Sequence, residues 1–233
     1  MAPFGRFPSP DRYADNYPSL SPYQYAANNP IIFFDANGDT IVITETMANN
    51  EALANFASTN EGYNYFSKFA YEGEKVTIKG KTFVFKKAGK FSTQNIKFIG
   101  TKHDASTIPV NSLLGRGHVD TQKGVQSYEI YLSDSRNIGQ QMDDAFHEVQ
   151  HSSMFAEGKF TGKLNQNIMD IHHGNMMLPK YWFPHERFLN QANQQFNTNL
   201  NVDTIYKFLY NQIQNPKVAK KVIEILNRYK QQK

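Results

Sequence analysis

Hydrophobic and polar residues alternate in several short stretches of the first 133 residues, as they do in strands with one buried face. Two of these stretches, 76–79 and 82–85, flank the pair Gly80 and Lys81. A two-residue connection between alternating segments predicts a β-hairpin. The other strand candidates are 31–34, 40–44, 95–99 and 127–133, and the last of these is SYEIYLS.

Apolar residues recur at helical spacing in the remaining segments. Asn137 with Gln140 three residues later is a capping-box start, and it predicts a helix that runs to about Phe155. Its buried stripe would be Met142, Ala145, Phe146 and Val149. Further helices are expected as a pair within 50–70 broken near Gly62, from Glu186 onward, and around 205–213 and 218–229.

Strand signals followed by helix signals predict an α+β fold with a small, mainly antiparallel sheet and a helical C-terminal part. A chain of 233 residues with 39% hydrophobic residues has enough apolar material for one substantial domain. The absence of cysteine excludes disulfides, thiolate metal sites and a cysteine nucleophile. Any metal must therefore be held by histidine and carboxylate side chains.

The net charge of +4 comes from the C-terminal segment, because residues 201–233 carry seven Lys and Arg against Asp203 and Glu224. A basic helix of this kind is typical of a solvated face, and we do not expect a nucleic-acid partner. No apolar run is long enough to span a membrane, and the N-terminus lacks the apolar segment of a secretory signal. Export, if it occurs, must be directed from elsewhere.

The predicted helix at 137–155 contains AFHEVQHSS, with His147 and His151 four residues apart and Glu148 directly after the first. Residues at i and i+4 lie one turn apart on the same face, so both imidazoles can reach one Zn²⁺ ion. A neighbouring glutamate can take a proton from water activated by the metal. This is the H-E-x-x-H pattern of zinc metallopeptidases, and Glu148 is the expected general base.

A catalytic zinc needs a third protein ligand, and the sequence offers several. Glu186 is preferred because it resembles the glutamate that gluzincins place on a later helix. Glu157 has the spacing of the third metzincin ligand, but Met154 stands where those proteins have glycine. The remaining candidates are Asp170, His172 and His173 in MDIHHGNMM.

Other polar residues are candidates for supporting roles in such a site. His185 and Tyr181, and also His172 and His173, could stabilise the oxyanion of a tetrahedral transition state. Asp144 could orient a ligand imidazole. Each also has a structural interpretation, as a hydrogen-bonded side chain beside apolar residues or as a charge near a helix start.

The first 39 residues resemble the closing segment of the Rhs repeat-associated core. The matching elements are Gly5-Arg6-Phe7, Ser9-Pro10-Asp11, Tyr23 with Tyr25, Asn28-Asn29-Pro30 and Asp35 to Gly38, with Ala36 where that family has proline. The resemblance implies that residues 1–39 are a core remnant and connector and that 40–233 form a variable toxin domain. It also implies an Rhs shell, a secretion apparatus and a cognate immunity protein.

Together, these features predict a zincin-like metallopeptidase effector that is delivered into a target cell and hydrolyses peptide bonds in a protein there. By resemblance to zincins, SYEIYLS would be the edge strand along which an extended substrate pairs. Two alternatives remain open from the sequence. One is a nucleic-acid-directed toxin that uses the basic C-terminal helix, and the other is a non-catalytic interaction domain with a vestigial metal site.

Overall fold

The computed structural model describes residues 40–102, 116–120, 125–158 and 166–231. The Rhs-like segment 1–39, including the strand expected at 31–34, lies outside these residues. Among the described residues the fold is mixed, with seven helices, a four-stranded sheet and a two-stranded hairpin. This agrees with the α+β expectation at the level of class. No helix in the described ranges combines the length and apolar character needed to cross a bilayer.

The larger sheet has the strand order β1-β4-β6-β5. Strand β4 runs parallel to both β1 and β6, while β5 runs antiparallel to β6. Two of its three pairings are therefore parallel, and the expectation of a mainly antiparallel sheet is wrong for it. The strands are β1 (Ile41–Ile43), β4 (Asn95–Thr101), β5 (Arg116–Asp120) and β6 (Val125–Ser133).

Strand β6 is not an edge strand, contrary to the expectation for SYEIYLS. Residues Ser127 to Glu129 pair with β4 on one side and with β5 on the other. Strand β5, for which the sequence analysis predicted no element, pairs with β6 on the side that the resemblance to zincins implied would be open.

The hairpin forms where the alternation predicts it, from β2 (Lys75–Ile78) and β3 (Lys81–Val84). Its turn is Lys79-Gly80, one residue earlier than expected, and both residues have positive φ, 48° and 73°. Such a turn matches the twist of the two strands and is favoured by glycine at its second position. The Lys79 amide also donates to the Ala48 carbonyl at 2.7 Å, which ties the turn to the loop before the first helix.

The first two helices, α1 (Glu51–Ser58) and α2 (Asn60–Ser67), form the pair expected within 50–70. The break falls at Thr59, whose hydroxyl caps α2 by accepting a hydrogen bond from the Gly62 amide at 3.0 Å. The later helices are α3 (Ile138–Gly158), α4 (Gln166–Met176), α5 (Pro179–Phe196), α6 (Val202–Asn211) and α7 (Pro216–Gln231).

The main core lies between the sheet and helices α1, α2, α3 and α5. Phe146 of α3 is its centre, with ring centroids 4.5 Å from Phe188 of α5 and 5.0 Å from Tyr65 of α2. Tyr128, Ile130 and Leu132 of β6 are buried against the helices. These contacts hold α3 rigidly along most of its length.

A second, smaller core lies at the C-terminal half of α3. It joins α3 to α4, α6 and α7 through the buried residues Met154, Met176, Met177, Leu209 and Val222. Helix α4 approaches α7 so closely that a Cβ atom added at Gly174 would lie 2.6 Å from Val218 Cγ1. The carboxylate of Asp170 on α4 accepts hydrogen bonds from the Gln214 and Asn215 amides, at 3.1 and 2.6 Å.

A buried carboxylate, Glu74, ties β1 to the segment before the hairpin. Its oxygens accept hydrogen bonds from Thr40 Oγ1 at 2.6 Å, the Ile41 amide at 2.8 Å and the Tyr71 amide at 2.9 Å.

Replacing Glu74 with alanine leaves those three donors without this acceptor. We therefore expect Glu74→Ala to lower the free energy of unfolding by about 3 kcal/mol, measured by urea denaturation. Glu72→Ala, at an exposed neighbouring position, is the control and should change stability by less than about 0.5 kcal/mol.

Candidate metal centre

Helix α3 starts at the capping box expected from the sequence. The Gln140 amide donates to Asn137 Oδ1 at 2.9 Å, and the Asn137 amide donates to Gln140 Oε1 at 3.1 Å. The stripe of Met142, Ala145, Phe146 and Val149 is fully buried in the main core. With that stripe turned inward, His147 and His151 lie one turn apart on the neighbouring face, and their Nε2 atoms are 3.1 Å apart.

Helix α4 supplies the third imidazole. The ligand nitrogens of His147, His151 and His173 all lie within 4.8 Å of one another, and no other described residues form such a metal-capable group. His151 and His173 are buried, with 1% and 8% of their surface exposed, and His147 is half-buried. The structure therefore brings together two histidines that lie one turn apart on α3 and a third histidine from α4.

The geometry and polarity of this group fit a metal ion. Two nitrogens bound to one tetrahedral Zn²⁺ at about 2.0–2.1 Å lie about 3.4 Å apart, close to the observed separation of the two Nε2 atoms. The Nδ1 atom of His173 is buried and has no hydrogen-bond partner. Because a buried polar atom is costly unless it is paired, this nitrogen is suited to coordination.

Burial also keeps these imidazoles in the form that binds metal. Desolvation lowers the pKa of His147 and of His151 well below the usual histidine value, and neighbouring histidines lower both further. Desolvation likewise lowers the pKa of His173 to about 4, although the Asp170 carboxylate opposes this shift. At neutral pH the three rings are uncharged, so each has a nitrogen lone pair available without loss of a proton.

His172 contacts the centre from outside the group of three. Its Nδ1 atom lies 3.2 Å from His151 Nδ1, on the opposite side of that ring from His147. Its ring packs on Phe155, with centroids 4.2 Å apart. If His151 binds a metal through Nε2, its Nδ1–H can donate to His172, which would fix the orientation of the ligand ring.

Glu148 follows His147 on α3 and precedes His151 by three residues. At 100° per residue, its side chain leaves the helix on the flank of the face that carries the two histidines. Glu148 is half-buried. Its role as a general base stays a prediction.

Glu186, the preferred third ligand from the sequence, is not part of the group. Helix α5 begins at Pro179, seven residues earlier than expected, and its buried face consists of His185, Phe188, Leu189 and Ala192. That face turns His185 toward α3 and leaves Glu186 half-buried beside it. His173, a less favoured candidate in the sequence, is the third member of the group with His147 and His151.

His185 and Tyr181, the expected oxyanion stabilisers, use their polar atoms in other contacts. His185 Nε2 lies 2.6 Å from Asp143 Oδ1, and its ring stacks on Phe146 with centroids 4.8 Å apart. The Tyr181 hydroxyl donates to Glu157 Oε2 at 3.1 Å. These contacts link both side chains of α5 to α3, and their role as oxyanion stabilisers stays a prediction.

The carboxylates of Asp144 and Glu157 are also paired. Asp144 Oδ2 lies 2.6 Å from Arg136 Nε, and the neighbouring Asp143 contacts His185. Burial would raise the pKa of Glu157, but hydrogen bonds from Tyr181 and Lys180 and the charges of Lys180 and Lys90 outweigh it and lower the pKa. Asp170, another candidate ligand, accepts the two backbone hydrogen bonds of the α6–α7 turn.

Sequence reasoning missed α4 as a helix, and for that reason it could not rank His173 above Glu186. A signal was present, because Met169, His173 and Met176 have the i, i+4, i+7 spacing of one helical face. The short length of the segment and the two polar residues at Asn165 and Asn167 obscured it.

Comparison of the chain with protein-family models, with curated proteins and with solved structures returned no match. The functional argument therefore rests on the residues and their geometry.

We expect His173→Ala to lower the zinc affinity of the full chain by at least 100-fold, because one of three ligands is lost and two imidazoles alone hold zinc weakly. Glu186→Ala is the matched control and should leave affinity within threefold. Competition titration with a zinc-chelating dye measures both. The opposite ranking of the two variants would restore Glu186 as the third ligand.

His172→Ala should have an intermediate effect, because His172 acts on the ligand His151 and not on the ion. Loss of such an orienting partner costs about 10–100-fold in metal affinity. His172→Asn retains a hydrogen-bonding side chain at this position and should recover part of the loss. The same dye titration provides the measurement, and an unchanged affinity in His172→Ala would exclude the orienting role.

Proposed function

We propose that this chain is a zinc-dependent metallopeptidase. The observation that carries the proposal is the convergence of His147, His151 and His173 within 4.8 Å, with Glu148 on the same helix as the first two. Three protein ligands leave one position of a tetrahedral ion for water or substrate, which distinguishes catalytic zinc sites from closed structural ones. A set of three neutral imidazoles suits zinc, and the chain has no thiolates that would favour softer metals.

A bound zinc ion would lower the pKa of water at the open position and polarise the carbonyl of a peptide bond. The role of Glu148 is proton transfer. Its carboxylate takes a proton from the attacking water as the water oxygen bonds to the carbonyl carbon. The same carboxyl group then gives that proton to the amide nitrogen as the C–N bond breaks, and the products are a carboxylic acid and an amine, which ionise to a carboxylate and an ammonium group at neutral pH.

The surroundings of the centre favour this chemistry over a solvent-exposed metal site. Phe155 lies beside His151 and His172, with ring centroids 6.3 and 4.2 Å away, and His151 and His173 are almost fully buried. A site from which water is largely excluded strengthens electrostatic interactions with the reacting groups. Helix α3 is held by both cores, so the ligand pair and the base keep a constant spacing.

The biological role that we propose is that of an effector domain of an Rhs-type polymorphic toxin. It is supported by the Rhs-like elements within residues 1–39. In this proposal the peptidase acts on a protein of a target cell after delivery by a secretion apparatus, and an immunity protein protects the producing cell.

The nucleic-acid alternative receives less support from the C-terminal helices. Val218 and Val222 of α7 pack against α4, the helix that carries His173, so α7 supports the proposed metal centre through α4. Its exposed Lys217, Lys220 and Lys221 are accompanied by the exposed Glu224 on the solvent side. An amphipathic helix with this division is the ordinary result of packing one face on a core.

Glu148→Gln tests the peptidase proposal directly. The amide retains the size of the side chain but cannot act as a base, so hydrolysis should fall by about 10²–10⁴-fold while zinc content stays near one ion per chain. Release of peptides from unfolded casein and elemental analysis of the purified protein are the two measurements. In an inducible bacterial expression host, the same variant should abolish growth inhibition.

Glu186→Gln is the control, since it makes the same chemical change on the neighbouring helix and should retain activity. Full hydrolysis and toxicity in Glu148→Gln would rule out the peptidase mechanism. A wild-type chain that takes up no zinc when zinc is supplied would instead favour a non-catalytic domain.

A further inference from the structure

A broad, open groove of about 1170 Å³ lies between α2, β3 and α5. None of its lining residues belongs to the histidine group or to α4. The mechanism proposed above does not use this groove. Its lining nevertheless has a chemistry that points to one kind of ligand.

The walls of the groove are rich in uncharged amide side chains. Asn60 and Asn64 of α2 face Asn190, Gln194 and Gln195 of α5, and these five side chains are exposed. An amide offers both hydrogen-bond donors and an acceptor, so such walls can satisfy a ligand that presents both.

The groove has no strong net charge among its described lining residues. Its two charged side chains, Glu61 and Arg187, pair with each other, with Arg187 Nε 2.6 Å from Glu61 Oε1. A hydrogen bond also links the two walls, because the backbone N–H of Asn60 donates to the side-chain oxygen Oε1 of Gln191 at 2.9 Å. A polyanion such as a nucleic acid would find no excess of cations here.

Strand β3, which contributes Phe83 to the lining of the groove, has one edge with which no described strand pairs. In an antiparallel pair joined by a two-residue turn, the residues that close the turn exchange both backbone hydrogen bonds, and alternate pairs do so along the ladder. In the observed register the bonded pairs are Ile78 with Lys81 and Val76 with Phe83. The backbone groups of Thr82 and Val84 therefore point away from β2.

Two contacts confirm the direction of these groups. The Phe85 amide donates to the Glu74 carbonyl at 2.9 Å, which continues the same alternation. The outward carbonyl of Val84 accepts a hydrogen bond from the hydroxyl of Tyr63, a residue that lines the groove. The outward N–H and C=O of Thr82 have no backbone partner among the described residues.

We propose that this groove is a docking site for an extended segment of the protein substrate, which adds as a strand to β3 at Thr82. A polypeptide matches the site because its backbone alternates N–H and C=O groups at the spacing of a strand edge. The side-chain amides of Asn190, Gln194 and Gln195 on α5 then contact the added strand on the side that faces away from β3. This inference rests on the proposed peptidase function, since it assigns the groove to the same substrate.

An oligosaccharide fits the lining less well. Sugar rings bind by stacking on exposed aromatic faces, but Tyr63 already stacks on Phe85, with centroids 5.0 Å apart and planes at 17°, and its hydroxyl is engaged by Val84. The edge of β3 adds a backbone hydrogen-bonding pair that a polypeptide uses and a sugar does not require.

Substitution of Thr82 provides a sharp test. Thr82→Pro removes the outward N–H and the hydroxyl that lies 3.0 Å from Thr77 Oγ1, but it removes no backbone hydrogen bond of the hairpin, because that amide does not belong to the ladder. Thr82→Val is the matched control, since it loses the same hydroxyl and keeps the amide. Both are made in the 233-residue chain that also carries Glu148→Gln, so that a bound polypeptide is not cleaved.

The probe is fluorescein-labelled, carboxymethylated casein, an unfolded polypeptide, and binding is followed by fluorescence anisotropy. We expect Thr82→Pro to weaken binding at least tenfold and Thr82→Val to stay within twofold. The double variant Asn190→Ala/Gln194→Ala should also weaken binding, whereas Asn211→Ala/Gln212→Ala, which removes two exposed amides outside the groove, should not. Zinc affinity reports whether each variant is folded, and if Thr82→Pro loses it, the amide pair decides the test.

Three results would overturn the proposal: no binding of casein to Glu148→Gln protein, equal binding by the Thr82→Pro and Thr82→Val variants when both are folded, or displacement of casein by maltooligosaccharides. The outcome is separable from the peptidase proposal. Groove-dependent binding without any hydrolysis by the zinc-loaded wild type would retain the docking site and reject the peptidase. Hydrolysis that does not respond to Thr82→Pro would do the reverse.

Discussion

The packing of α4 against α3 is the constraint on which the candidate metal centre depends. His147 and His151 need only one helix to be neighbours, but His173 reaches them only because α4 lies against the C-terminal half of α3. Methionines 154, 176 and 177 fill the space between the two helices, and α6 and α7 close it from outside. Asp170 fastens the turn between α6 and α7 to α4. The basic C-terminal segment thus contributes to the site by supporting α4.

This packing places several imidazoles where burial disfavours their charged forms. The pKa of His172 is lowered to about 4 by desolvation and by His173, and the three members of the group are shifted in the same direction. Burying polar rings with incomplete hydrogen bonding opposes folding. A cluster that is unfavourable for stability and is held by two cores is typical of a functional site. Coordination of a metal would satisfy the unpaired nitrogen of His173 and make the cluster favourable.

The sheet explains why the expected substrate edge was misplaced. A strand that alternates apolar and polar residues can have either one or two strand neighbours, since alternation reports the two faces of a sheet and not its edges. Strand β5 pairs with β6 over Val125 to Glu129. The hairpin has the opposite property, because one of its two strands presents backbone groups to a groove. The docking that we propose therefore involves β3 and not β6.

The sequence by itself determined the local features of this protein. The capping box at Asn137 and Gln140, the apolar stripe of α3 and the one-turn spacing of His147 and His151 depend on residues within a few positions of one another, and all were predicted correctly. The same holds for the β2–β3 hairpin and for the α1–α2 pair.

Only the tertiary structure decided the relations between distant segments: the parallel pairing of β4 with β1 and β6, the pairing of β5 with β6, and the approach of His173, and not Glu186, to His147 and His151. The buried face of α5 carries His185, which contacts α3. Helix α4 packs against α6 and α7, which lie much further along the chain. A third ligand is selected by which helix packs beside the first two. Packing is a property of the whole core, and periodicity along one segment does not contain it.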